Sequence, residues 1–90
     1  MEFAWDAAKA ESNRRKRRLS FHVAATVFGD PLAATFPDPD HSIGQSRAIT
    51  IAATEAGELV VVAHVSRGKR VRIISARPAT RRERSFYEQG

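Results

Sequence analysis

Residues 47–78 read RAITIAATEAGELVVVAHVSRGKRVRIISARP, and this stretch decides the fold class. From Arg47 to Ala53, Arg47, Ile49, Ile51 and Ala53 alternate with Ala48, Thr50 and Ala52, which is the period of a strand. Ala56-Gly57 supplies a hairpin turn. Leu59 to Val65 is a β-branched run interrupted by His64 and reads as a central strand. Ser66-Arg67-Gly68-Lys69 forms the next turn. In the strand that follows, Val71, Ile73 and Ser75 share one face, and Arg70, Arg72 and Ile74 share the other. Strands joined by such short turns pair antiparallel.

Working outward, residues 32–46 hold Pro37, Pro39, Asp38, Asp40, Ser42 and Gly44. They predict a short edge strand near Ala33–Phe36, then a loop. Upstream, Ser20 is an N-cap for a short amphipathic helix carrying Phe21, Ala24, Ala25 and Phe28, which Gly29-Asp30-Pro31 ends. Asp6 is the N-cap of a longer helix, Ala7 to Arg17. That helix is polar on most faces, so it leans on its neighbours through Ala7, Ala8 and Ala10, with Trp5 as anchor. Glu2 to Trp5 is extended or a short strand. Downstream, Thr80 and Glu83 form a capping box opening a helix that runs through Tyr87. The predicted class is α+β: two N-terminal helices, an antiparallel sheet of three to four strands and a C-terminal helix. The helices cover one sheet face, and the other displays Arg70 and Arg72, with His64 a candidate for the same side.

Ninety residues predict one domain, residues 1–90. The absence of cysteine excludes a disulfide scaffold, a thiolate nucleophile and a cysteine-based zinc site. No apolar run approaches the roughly 20 residues of a membrane-spanning helix. No signal peptide is visible, so a cytoplasmic location without membrane contact is expected. The net charge of +5 is unevenly spread. Residues 9–18 carry +5, residues 67–84 carry +7, and residues 19–66 between them carry −4. Most of the cations are arginine, whose planar fork suits phosphate or carboxylate. Two basic blocks suggest nucleic acid or an acidic protein surface, against the plainer alternative of a solvated basic face.

RNA cleavage fits these residue types, because the substrate's own 2′-hydroxyl is the nucleophile. The protein need only move protons and stabilise charge on phosphorus. Arg67, Arg70, Arg72 and Arg77 lie on the last hairpin and strand; Arg81, Glu83, Arg84 and Tyr87 lie on the final helix. Glu83 and Tyr87, four apart, share a helix face. Glu83 also has a structural reading as the capping-box partner, and Tyr87 one as a half-buried aromatic. His64, Glu83 and Tyr87 are each chemically able to act as the general base. Asp38, Asp40 and His41 are the sole candidate metal set, and adjacent residues rarely converge on one ion; no cofactor or metal is expected. Dinucleotide, Walker and hydrolase motifs are absent, as is a helix-turn-helix for direct DNA reading.

Several runs together resemble the BrnT-type toxins over nearly the whole chain. They are Phe3-Ala4-Trp5-Asp6, Lys9, Asn13, Lys16, Ser20-Phe21, Asp30-Pro31, Asp40-His41-Ser42, Arg72-Ile73-Ile74-Ser75-Ala76-Arg77 and Ala79-Thr80-Arg81-Arg82-Glu83-Arg84 with Tyr87. The resemblance implies a toxin of a type II toxin–antitoxin pair, with a fold similar to the RelE/ParE group. It implies metal-independent RNA cleavage that shuts down translation. The implied partner is a BrnA-type ribbon-helix-helix antitoxin. Toxin and antitoxin together repress their own operon, so DNA is met only through the antitoxin, in a hetero-oligomer built on an antitoxin dimer. Carried over residue by residue, the catalytic candidates are Lys16, Arg67, Arg77, Arg81, Glu83 and Tyr87; beside them the basic blocks offer Arg17, Arg70, Arg72 and Arg84 as RNA-binding cations. The chain departs from the family where Lys-His-Gly is usual. Arg17 stands at the histidine, Arg18 at the glycine, and Gln45 at a glutamate further on. Arg17 stays protonated, so it can hold phosphate but not act as a base. The alternative function is therefore a catalytically weakened homologue that acts mainly as an antitoxin-binding corepressor.

Overall fold

The computed structural model describes residues 1–38 and 46–89. Asp40, His41 and Gln45 lie outside the described residues. The elements are β1 (Glu2–Ala4), α1 (Ala7–Arg17), α2 (Phe21–Ala25), a 3₁₀ turn (Thr26–Gly29), β2 (Ala34–Pro37), β3 (Arg47–Ala53), β4 (Leu59–Arg67), β5 (Arg70–Pro78) and α3 (Arg81–Gln89). The α+β class, the two N-terminal helices and the C-terminal helix are as expected. The expected helix over Phe21–Phe28 relaxes into 3₁₀ geometry after Ala25.

The sheet corrects the expectation of three to four antiparallel strands. Among the described residues it has five strands in the order β1-β5-β4-β3-β2, and β1 pairs parallel to β5. The short segment Glu2–Ala4 carries too little periodicity to declare itself. It becomes a strand because the edge of β5 offers partners, beginning with Glu2 N–H donating to the Lys69 carbonyl at 2.8 Å. The edge strand β2 starts and ends one residue later than expected.

A second correction concerns the faces. α1, α2 and the 3₁₀ turn cover one face, where Phe21, Ala24 and Val27 pack on Ala52, Val60, Val62, Ile73 and Ala76. α3 covers part of the opposite face, with Tyr87 against Ile51, Leu59 and Val61. β4 is thus buried on both sides from Leu59 to Val65, which explains an apolar run in which His64 is the one polar residue.

A third correction comes from an irregularity in β5. Ala63 pairs with Ser75 and His64 with Ile73, so Ile74 is an extra residue opposite β4. The alternation flips there. Ala76, not Ser75, follows Ile73 into the core, and Ser75 is exposed. The bulge is held from outside the sheet: Asn13 Oδ1 accepts from Ala76 N–H at 3.1 Å, and Asn13 Nδ2 donates to the Leu19 carbonyl at 2.9 Å.

α1 has no buried residue. It begins because Asp6 Oδ1 accepts from the Ala8 and Lys9 amides at 2.9 and 3.0 Å. Its last turn holds Arg14, Arg15, Lys16 and Arg17 against the negative end of the helix dipole. Of the three alanines expected to carry its packing, Ala10 alone reaches the core; Ala7 and Ala8 are exposed. Trp5 does serve as anchor, edge-on to Phe21 at 6.0 Å between ring centroids. The helix ends on Arg18 in the left-handed region, φ 55° and ψ 37°. A side chain there crowds its own carbonyl, and glycine removes the conflict. Arg18→Gly is therefore expected to stabilise the fold by about 1 kcal/mol, measurable as a higher urea midpoint at unchanged slope.

Candidate functional site

In β5, Arg70 and Arg72 alternate with the buried Val71 and Ile73, so their side chains project from the face that α3 partly covers. Arg72 lies between Val65 of β4 and Ala4 of β1, and Arg67 pairs with Arg70 across the Gly68 turn. Gly68, at φ 56°, makes that tight reversal possible. These residues, with Lys9 and Ile74, line an open cavity of about 450 Å³. A second cavity of about 250 Å³ adjoins it, lined by Lys9, Ser12, Asn13, Lys16, Arg17, Ile74 and Ser75. Lys9 and the bulged Ile74 belong to both. The result is one basic belt of Lys9, Lys16, Arg17, Arg67, Arg70 and Arg72 on a floor of Val65 and Ile74. Within it Arg70 pairs with Glu2 at 3.5 Å, both well exposed. Such a pair contributes little, so the belt's charge remains available to an anion.

Five of the sequence-derived candidates, Lys16, Arg17, Arg67, Arg70 and Arg72, therefore share this belt. Arg77, Glu83 and Tyr87 gather instead at the far end of β5. Arg77 Nη1 and Nη2 donate to Glu83 Oε1 and Oε2, each at 2.7 Å. Glu83 Oε1 also accepts from Thr80 N–H, and Thr80 Oγ1 accepts from Glu83 N–H, the expected capping box. The Arg77 guanidinium, aided by the Thr80 amide, holds the Glu83 carboxyl down to about 2. Tyr87 donates its hydroxyl to Asp30 Oδ2 at 2.6 Å, and that bond to a carboxylate raises the phenol above its usual range. Asp30 also accepts from the Ala53 and Leu32 amides, and its pKa is lowered, chiefly by Tyr87. In this arrangement Glu83 is an ionised acceptor and Tyr87 a protonated donor, and both tie α3 to the sheet. Arg81 and Arg84 are exposed on α3.

His64 does not join the arginines on the open face. It is 4% exposed and lies on the α1–α2 side, its ring edge-on to Phe28 at 4.9 Å. Its Nε2 meets Thr50 Oγ1 at 2.7 Å, and Thr50 Oγ1 meets Thr35 Oγ1 at 2.8 Å. Its polar neighbour is thus Thr50. The other ring nitrogen, Nδ1, is buried without a hydrogen bond among the described residues. Among the described residues no three His, Asp or Glu side chains form a metal-ligating cluster. Among the described residues no helix is long and apolar enough to cross a membrane.

Sequence reasoning missed Lys9 as a site residue, although the spacing was readable. Lys9, Asn13 and Lys16 recur at i, i+4 and i+7, one stripe of α1, and that stripe lines the smaller cavity. It also missed the roles of Asn13 and Asp30. Both bond backbone groups far away in sequence, and no local signal announces such contacts.

Burial lowers the His64 pKa below the ordinary 6.5. The unfolded chain therefore takes up the proton first, and the contribution from neutral His64 is complete above 6.5 and declines as pH falls below it. Unfolding free energy should drop as pH falls below about 6.5, and His64→Gln should flatten that segment of the profile. Glu83 acts lower: its contribution is complete above its usual 4.5 and is lost as pH falls toward about 2.

The comparisons with known proteins agree with the sequence resemblance. The chain superposes on the crystal structure of the Brucella abortus ribonuclease toxin BrnT with a TM-score of 0.70, at 23% identity over 90% of this chain and 99% of that one. At that identity the likeness concerns the fold. No curated protein matches the chain in sequence. A family model described as the ribonuclease toxin BrnT of type II toxin–antitoxin systems matches residues 5–83. The chain accordingly belongs to the BrnT family of ribonuclease toxins from type II toxin–antitoxin systems.

Proposed function

We propose that residues 1–90 act as one toxin domain that cleaves RNA without a metal and so halts translation, on a scaffold read as RelE-like. The observation that carries this reading is the basic belt, where five cations besides Arg70 hold no ion pair among the described residues and surround a shallow apolar floor. An RNA strand can set its phosphates against the guanidinium groups and lay a base on Ile74 and Val65. In the reaction the 2′-oxygen forms a bond to phosphorus as the bond from phosphorus to the 5′-oxygen breaks. One proton leaves the 2′-hydroxyl and one reaches the departing oxygen. Arg67, Arg70 and Arg72 oppose the negative charge that builds on the phosphoryl oxygens. Lys16 is the candidate proton donor, and Arg17 and Arg84 bind flanking phosphates. Arg77, Arg81, Glu83 and Tyr87 are proposed to act from the α3 side, where the Arg77–Glu83 pair sets the helix against the sheet.

The proposed partner is an acidic-faced ribbon-helix-helix antitoxin of the BrnA type, which blocks the toxin in the cytoplasm and carries it to the operator in an autorepressing hetero-oligomer. Arg17, in place of the family's histidine, favours a second reading: a weakened nuclease kept as an antitoxin-bound corepressor.

Purified chain free of antitoxin should degrade single-stranded RNA in excess EDTA; intact RNA at micromolar protein would sink the nuclease reading. Lys9→Ala and Arg72→Ala should each weaken RNA binding and reduce the slope of log affinity against log salt by about 0.7. If Arg17→His turns a silent chain into a growth-arresting one, the corepressor reading is favoured; no change counts against it.

A further inference from the structure

On the sheet face that carries the basic belt, but at the opposite lateral edge, lies a groove of about 280 Å³ lined by Phe36, Ile49, Ile51, Arg82, Glu83 and Phe86. Phe36 of β2 and Phe86 of α3 meet edge-to-face at 5.9 Å across its mouth. They remain 39% and 58% exposed, so the pair covers the groove without closing it. Two phenylalanines held in contact at the surface of a 90-residue chain form an apolar patch of the kind that marks an interface. Two further features describe the occupant. β2 is the terminal strand of the sheet, so one side of its backbone has no partner strand among the described residues. The rim is positive: Arg82 stands one turn before Phe86, whereas the Glu83 carboxylate is neutralised by Arg77.

We infer that this groove anchors the antitoxin, through an acidic segment that lies along β2, sets an apolar side chain between Phe36 and Phe86, and places a carboxylate on Arg82. The anchor and the basic belt are separated by the interval from β2 to β5, three strand spacings, or about 14 Å. An extended chain crosses that distance in about four or five residues. An acidic segment seated in the groove can therefore continue over the belt and exclude RNA electrostatically. This inference rests on the proposed reading for the existence of an antitoxin, not for the cleavage chemistry.

The test uses the antitoxin encoded beside this chain and two surface variants, Phe86→Ser and Arg82→Glu, checked for unchanged thermal melting. Neither residue belongs to the proposed catalytic or RNA-binding set. Calorimetric titration should show at least tenfold weaker antitoxin binding for each. Both variants should cleave RNA like the unmodified chain but resist inhibition at antitoxin concentrations that silence it. Antitoxin affinity within threefold of the unmodified chain for both variants overturns the inference. So does light scattering that shows loss of self-association in the variants while antitoxin affinity holds, since the groove would then belong to a second copy. Failure of the unmodified chain to bind the antitoxin also overturns it. Binding that follows the expected pattern in a chain that never cleaves RNA leaves the anchor standing and removes the nuclease reading alone.

Discussion

The side-chain amide of Asn13 joins three parts of the chain: α1, the bulge of β5 and the segment that follows α1. It accepts from Ala76 N–H at the bulge of β5 and donates to the carbonyl of Leu19, the first core residue after α1. Without it α1 would be a polar helix resting on Ala10. With it the helix is fixed along the β5 edge, and the stripe containing Lys9 and Lys16 lies beside Ile74. The cationic belt is thus assembled from α1, β4 and β5, and one neutral contact sets the helix against the sheet. That economy suits a surface dense in like charge, since the repulsion among six cations has to be opposed by something that is not itself charged.

Much of the architecture was legible because the signals were local. Asp6, Ser20 and the Thr80–Glu83 pair cap helices within three residues of themselves, and each capped as expected. β3 was exact because seven residues of clean alternation leave little freedom. What the chain concealed was non-local. The parallel pairing of β1 depends on residues 69–72, and the bulge at Ile74 depends on Asn13, so neither leaves a trace in its own neighbourhood. The side that α3 takes is not legible, because its apolar content is one stripe with Tyr87, which fits either face. The opposite face accepts it because Ile51, Leu59 and Val61 project there.

The candidate site was legible by composition and less so by placement. The arginines of β5 are readable from alternation alone, and five of the ten candidates do converge. Glu83 and Tyr87 were reachable as a helix-face pair, yet their partners, Arg77 and Asp30, give them the chemistry of fasteners. A carboxylate bound to a guanidinium and a phenol bound to a carboxylate are both pushed away from neutral-pH proton exchange. Position along the chain did not reveal this; the identity of the acceptor did.

The line of polar contacts from Thr35 through Thr50 to His64 runs across three adjacent strands inside an otherwise apolar layer. A strand that slides by one residue turns its buried side chains outward and is rejected by solvation alone. A slide by two keeps every side chain on its proper face, and hydrophobicity does not detect it. For the four-residue β2, whose side chains are mostly exposed, that error would be inexpensive. Shifting β2 by two would replace Thr35 with Ala33 or Pro37 opposite Thr50, and the hydroxyl at one end of the line would lose its partner. The threonine–histidine line therefore acts as a proofreading device for strand alignment, and it guards the terminal strand, where misalignment would expose a template for aggregation.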